Sequence, residues 1–407
     1  MKTTKILSVL IFSLLFQFVN FNSKAVASTP EQALATLLKS PSIDPAAISV
    51  VIVDLGDGSI VASHNPDKGM IPASIMKSAT TAALISKDGS NKPLITKVFT
   101  DGNIANGMLD GNLIIQASGD PTINADDSRA QSADFVAEIV SALKKKGINE
   151  IAGKIIIDES VFSGPATPPS WQSGDLQYAY GTGCHGFNFE QNASAKAAVK
   201  NPSEVFRKKL NAAFAKNEIK LAGNSIPEGK RQLLMEHKSA PLNDIMRSCM
   251  VRSDNLYAEA FLRMLAIANG KEGSTEKGAE TALDYWTNAG LPMEGVVIID
   301  GSGLSRSNKL TGRFMTMMLN KMKGNKDYLD LFARVGTEGT VKNFLKDTKL
   351  EGQMAIKTGS MKGVQCYAGY KLDEKGNPTN SVVIIVNNLK DRDRFRKDLA
   401  NFFLQIF

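Results

Sequence analysis

Ser74 and Lys77 stand three residues apart in the stretch IPASIMKSATTAALIS, Ile71 to Ser86. Residues three apart share one face of a helix, so in a helical stretch the lysine amine reaches the serine hydroxyl. A serine hydroxyl is a poor nucleophile until a base takes its proton. Lysine can be that base only when neutral, which requires burial or a neighbouring cation. Lys77 is the one charged residue of the stretch, which reads as a buried helix behind Pro72. A serine near the helix start also gains backbone N–H groups aimed at developing negative charge. By itself the S-x-x-K spacing is a weak signal, because Ser141–Lys144 and Ser274–Lys277 share it. The first of these runs into Lys144-Lys145-Lys146, a solvated helix end, and the second lies in a Gly- and Glu-rich loop.

Two further groups suit the same chemistry. In MVRSDNLYAEAFL, Ser253 and Asn255 offer a hydroxyl to relay a proton and an amide to hydrogen-bond a substrate amide. The alternative reading of Ser-Asp-Asn is a helix cap. Lys357-Thr358-Gly359-Ser360 closes the strand expected at Met354 to Lys357. Lys357 would bind a carboxylate and help keep Lys77 neutral, Thr358 adds a hydroxyl, and Gly359 lets a ligand backbone approach closely. An exposed strand end is the alternative. The order S-x-x-K, S-x-N, K-T-G, with separations of 179 and 104 residues, is far more specific than any one group. It is the set found in penicillin-recognising serine enzymes.

These residues need elements to hold them. A helix is expected from Glu31 to Lys39, strands at Ile48–Leu55 and Ser59–His64 around a Gly56-Asp57-Gly58 turn, then the Ser74 helix. Further on come an apolar run at Leu113–Ile115, a helix at Ser132–Lys146, a strand at Gly153–Ile157 and a Pro-rich loop leading to Trp171. Helical patterning returns over Pro241–Ala268 and Glu276–Ala289, and Val296–Asp300 reads as a strand ending in a Gly-Ser-Gly loop. The chain closes with strands at Gln365–Leu372 and Ser381–Asn387 and a final helix. Strands at both termini with helices between them imply one sheet assembled from the two ends. The expected division is a leader at 1–27, a first part of the main domain at 28–92, an insertion at 93–230 and a second part at 231–407.

The 407 residues are 43% hydrophobic and 22% charged, which excludes a collagenous or wholly disordered chain. At about 150 residues per domain the length suggests two or three domains. Lys2 to Lys5, the apolar run Ile6–Phe16 and Ala25-Val26-Ala27 form a secretory leader. The run is short for a membrane span, which takes about 20 residues. Cleavage after Ala27 makes the protein exported and periplasmic or extracytoplasmic, with an uncleaved anchor as the alternative. The net charge of +7 loses three lysines with the leader, too little excess for a nucleic-acid partner. His64, His185 and His237 are scattered, so no His-rich metal site is indicated, and no cofactor is implied. Cys184, Cys249 and Cys366 form no C-x-x-C motif and read as buried small side chains. The terminal FRKDLANFFLQIF would either lie on a membrane surface, as a peripheral association, or dock on the core; docking is preferred because it follows a buried-type strand.

The three motifs, with GNLIIQASGDPTI, GDLQYAYGTG and IDGSGLSRSN, resemble the D-alanyl-D-alanine carboxypeptidase/endopeptidases of the DacB type, the class C low-molecular-mass penicillin-binding proteins. The resemblance covers nearly all of the chain beyond the leader. GCHGFNFEQN, with Cys184 and His185, departs from the family's small-residue pattern after Tyr-Gly. The resemblance implies a mixed α/β fold, the penicillin-binding or β-lactamase-like transpeptidase fold, with an antiparallel sheet flanked by helices and an insertion between the first two motifs. It implies peptidoglycan stem peptides as substrates and β-lactams as inhibitors. Ser74 would attack a D-Ala–D-Ala or cross-link peptide bond and Lys77 would be the base. Ser253 and Asn255 would serve the leaving-group proton and the substrate amide, and Lys357 and Thr358 the terminal carboxylate. The oxyanion would sit on the N–H groups of Ser74 and Ser360. Asp158, in IIIDESVF, is similar to a family acid that binds the stem-peptide side chain; a strand-end turn residue is the alternative. Arg306 is a further substrate-binding candidate, with a surface or salt-bridged arginine as the alternative.

Three rivals share parts of this pattern. A class A β-lactamase would carry Glu-x-x-x-Asn after its S-D-N, and no Glu from Glu259 to Glu294 has Asn four residues on. A serine esterase on the same scaffold would cleave acyl esters without releasing D-alanine. A non-catalytic wall-binding protein would not need all three motifs intact.

Overall fold

The computed structural model describes residues 29–88 and 91–407. The expected leader, 1–27, lies outside the described residues.

A five-stranded antiparallel sheet forms the centre, in the order Met354–Met361, Val364–Leu372, Pro378–Val386, Ile48–Asp54, Ile60–His64. The two termini meet where Ile48 lies opposite Val386 and Asp54 opposite Asn380. VVIIV, Val382 to Val386, is apolar throughout because both faces of its strand are covered. Val382, Ile384 and Val386 enter one core, and Val383 and Ile385 the other. On the first face the terminal helices Pro30–Leu38 and Arg392–Ile406 bury Ala33, Leu37, Phe395, Leu399, Phe402 and Phe403. The final helix thus spends its apolar face inside the protein, which removes the basis for a membrane-surface helix. No described helix is long and apolar enough to cross a membrane. On the second face lie the helices Met76–Asp88, Asn255–Ala268 and Gly312–Met322.

The insertion has a core of its own, in which Phe135, Phe187, Phe189 and Phe206 pack ring against ring. Its main sheet runs Gln232–Pro241, Pro93–Thr100, Leu113–Gln116, Ile155–Asp158. Strand Gln232–Pro241 pairs along Pro93–Thr100, so the sheet of the insertion continues past position 230. A second sheet of short strands shares the same core through Leu109 and Ile151.

Two expectations change. The helical stretch Pro241–Ala268 is two helices, Leu242–Arg252 and Asn255–Ala268, parted by Ser253 in the left-handed conformation (φ 63°) and Asp254. Val296–Asp300 forms no strand beyond a single bridge between Val297 and Lys309. The Asn308 side-chain oxygen accepts from Ile299 and Asp300 N–H and takes the place of a partner strand. Cys184, Cys249 and Cys366 are all buried and unbridged.

Candidate active site

Ser74 sits in a 3-10 turn, Ala73–Ile75, that leads directly into the helix Met76–Asp88. Ala73 is held at φ 45°, a conformation rare without glycine. Two glycines clamp this turn. A Cβ on Gly303 would stand 1.9 Å from Ala73 O. One on Gly359 would stand 2.7 Å from Pro72 O and 2.9 Å from Ser74 N. The glycine of K-T-G therefore admits the backbone of the Ser74 turn itself.

Lys77, one turn on, is fully buried. Its Nζ lies 2.9 Å from Ser74 Oγ and donates to Asn255 Oδ1 at 2.6 Å and Ser302 O at 2.8 Å. Burial holds its pKa below the usual lysine range, against the opposing pull of Cys249, Asp300, Asp254 and Glu259. Lys357 is also buried, donating to Ser253 Oγ at 2.9 Å and Thr358 O at 2.7 Å. Burial, helped by the charge of Lys77, pushes Lys357 well below its ordinary range. Desolvation is the largest cause for both amines, and like charge on either one disfavours charge on the other.

Ser-Asp-Asn turns out to be cap and site at once. Asp254 caps the helix Asn255–Ala268 by accepting from Tyr257 N–H at 3.1 Å. Ser253 and Asn255, on either side of it, line the cleft. The amide of Asn255 is held at both ends: its oxygen accepts from Lys77 and one Nδ2 hydrogen is donated to Tyr180 O at 2.7 Å. It joins Lys77 to the insertion wall and still lines the cleft, with a second Nδ2 hydrogen left for a further acceptor.

The cleft, about 490 Å³, is lined by Ser74, Ser253, Asn255, Ser360 and Arg306, and opposite them by Gln172, Asp175 and Tyr180. Arg306 Nη2 donates to Lys362 O at 2.9 Å. Thr358 points its hydroxyl at Thr340 Oγ1, 2.7 Å away, on the rim. Asp158 is not among the lining residues. Its carboxylate accepts from Ser160 N–H and pairs with Arg231 at 3.7 Å, and these hold its pKa below the usual range.

Several supporting groups escaped the motif reading. Glu259 is fully buried, and one oxygen accepts from Gly301 and Ser302 N–H at 3.1 and 2.8 Å. This fixes the two peptides that lead into Ser302, the residue whose carbonyl receives Lys77. Burial, with the Asp300 carboxylate beside it, raises the Glu259 pKa to about 7. Asp300 gathers the Trp171 indole, the Gly303 and Ser305 N–H groups and the Asn308 amide, all within 2.8 Å. A signal for Glu259 existed: an acid amid LYAEAFL, one helical turn after Asn255. Among the described residues no group of three or more His, Cys, Asp or Glu side chains could hold a metal ion.

This arrangement sets a buried amine against the hydroxyl of Ser74 at the floor of the cleft and can take a proton from it. Comparison with known proteins gives the same direction. The chain is 28% identical over 376 residues to the carboxypeptidase DacB of Mycolicibacterium smegmatis, covering 88% of this chain and 79% of that one. It is 26% identical over 414 residues to the D-alanyl-D-alanine carboxypeptidase DacB of Haemophilus influenzae, covering 83% and 85%. The fold superposes on the crystal structure of penicillin binding protein 4 from Haemophilus influenzae with a TM-score of 0.79, at 22% identity, over 93% of this chain and all of that one. Residues 30–200 and 188–402 match the model of one family, and the chain is a member of it: the D-Ala-D-Ala carboxypeptidase 3 (S13) family of serine peptidases.

Proposed function

We propose that this protein cleaves D-Ala–D-Ala or cross-link bonds of peptidoglycan stem peptides through an acyl-enzyme on Ser74, and that β-lactams acylate the same serine. One observation carries the assignment: Lys77 Nζ stands 2.9 Å from Ser74 Oγ while its other two directions are taken by Asn255 Oδ1 and Ser302 O. A neutral amine has two N–H bonds and one lone pair. With both N–H bonds spent on those acceptors, the lone pair faces the Ser74 hydroxyl. Lys77 accepts that proton as Oγ bonds to the carbonyl carbon.

The carbonyl oxygen gains negative charge between the N–H groups of Ser74 and Ser360, which the close packing of Gly359 on Ser74 N supports. The C–N bond then breaks, and the amine leaves with a proton passed through Ser253, which accepts from Lys357. Lys357 and Thr358 hold the substrate's terminal carboxylate, and Arg306 binds the peptide further along the cleft. Water then cleaves the ester and restores Ser74. An exported location and cell-wall substrates fit the leader and the relatives' names.

Intact-mass measurement with benzylpenicillin, beside Ser74→Ala, tests this reading. A one-to-one adduct on the wild type and none on the variant is expected. Rapid loss of antibiotic without an adduct would instead favour a β-lactamase. Digestion of purified muropeptides then separates loss of terminal D-alanine from opening of cross-links.

A further inference from the structure

Beside the cleft lies a second cavity of about 350 Å³ that the chemistry above does not use. Four basic residues from three separate segments meet in it: Lys68, Arg306, Lys309 and Lys362. No acidic residue lines it, and among the described residues none of the four forms an ion pair. Its floor is rigid. Ile71 donates its N–H to Asn387 Oδ1 at 2.9 Å and accepts from Asn387 Nδ2 at 3.0 Å. Lys309 is pinned by paired backbone hydrogen bonds to Val297, both 2.8 Å. Four like charges around one concavity repel one another and together raise the local concentration of anions.

Arg306 and Lys362 line both cavities, so the basic one continues the cleft. Strand Met354–Met361 is the edge of the central sheet. Val335 N–H donates to Met354 O and Ile356 N–H donates to Ala333 O, which covers that edge as far as Ile356 and leaves it open to the cleft beyond. An extended peptide can lie along such an edge. With its carboxyl end at Lys357 and its reacting carbonyl at Ser360, its amino-terminal side runs toward Lys362. At about 3.3 Å per residue, Lys362 stands opposite the ligand residue two positions before the acylated one.

We infer that this cavity is an anion subsite that takes a free carboxylate on the residue two positions before the acylated one. The inference rests on the assignment of Ser74 as the acylated group. It makes the enzyme sensitive to whether that carboxylate is free or amidated in the wall.

Two synthetic peptides ending in D-Ala-D-Ala test it, identical except for a carboxylate or a carboxamide at that position, with D-alanine release as the readout. The wild type should show about a tenfold higher kcat/KM for the carboxylate, carried by KM and weakened by salt. Lys68→Ala/Lys309→Ala should erase this difference while benzylpenicillin acylation stays at the wild-type rate, which also reports an intact fold. Equal rates on the two peptides in the wild type, or a preference kept by the double variant, would overturn the subsite and leave the peptidase standing. No D-alanine release from either peptide would count against the peptidase reading itself and remove the subsite with it.

Discussion

Behind one wall of the cleft Lys77 and Lys357 are at most 1% exposed, and each amine is hydrogen-bonded. On the facing wall Tyr180 is 48% exposed, stacked on the equally open Tyr178 with ring centroids 5.4 Å apart. Its hydroxyl donates to Asp175 at 2.9 Å. The first wall belongs to helices and strands of the main sheet, the second to a loop of the insertion. The contrast follows from what each must do. A lysine serves as a base only where burial depresses its pKa, and burial demands close packing and regular elements. Selecting a peptide demands open, polar surface, which a loop supplies. Asn255 is where the two walls are tied, one end of its amide on each.

The contrast predicts that damage to the buried wall stops the chemistry. Lys77→Ala should slow benzylpenicillin acylation by about a thousandfold, within the range general-base catalysis supplies. A folded Lys77→Ala protein that acylates at the wild-type rate would remove Lys77 as the base. In the wild type the same logic sets a sign for pH. The neutral amine is the active form, so acylation slows as pH falls through a pKa below the ordinary lysine range. Gly359→Ala should come next. Its new methyl meets Pro72 O and Ser74 N, both backbone, so the serine turn must move. A loss of about a hundredfold in acylation is expected, with about 1–3 kcal/mol of stability. Normal acylation by this variant would show that the turn is looser than its contacts imply.

Glu259 sharpens the comparison through stability. Its pKa is raised in the folded state to about 7, against about 4.3 in an unfolded chain. For a group raised on folding, the contribution is fully present below the unfolded value and is lost as pH rises through the folded one. Urea midpoints should therefore fall between pH 5 and pH 8 in the wild type. In Glu259→Gln, which keeps an oxygen for Gly301 and Ser302, they should fall less. Parallel pH curves for the two proteins would show that Glu259 does not titrate in this range.

What was legible in the sequence follows the same division. The two-ended sheet, the Ser74 helix and the docked final helix could be read because burial on regular elements leaves periodic patterns. The motif residues could be read because their chemistry fixes both type and spacing. The break at Ser253 showed only as a possible cap at Ser-Asp-Asn, because helical patterning runs through it; the left-handed residue followed by the Asp254 cap divides it. Trp171, Asp175 and Tyr180 were missed as site residues because a loop has no period, and Trp171 and Tyr180 act through contacts across more than 70 positions of chain, with Asp300 and Asn255. The ties of Asn255 to Lys77 and Tyr180 were not legible either, because sequence shows an amide's type without showing who holds it.

The smallest expected effect decides which acid of the insertion meets the peptide. Family likeness favours Asp158, while the cleft is lined by Asp175. Asp158 is paired with Arg231 and bonded to Ser160, so Asp158→Ala removes a partly exposed pair, which contributes about 0–1 kcal/mol. Both peptide turnover and penicillin acylation should stay within about twofold of wild type. Asp175→Ala removes an acid of the cleft wall and frees the Tyr180 hydroxyl. Loss of one such charged contact should lower kcat/KM for a stem peptide by about tenfold, mostly through KM. Benzylpenicillin carries no stem-peptide side chain to reach that wall, so its acylation should hold. A large, peptide-selective loss in Asp158→Ala with Asp175→Ala silent would reverse the assignment. The Arg231 pair would then be one that substrate displaces, and the open wall would extend deeper into the insertion than the cleft now reaches.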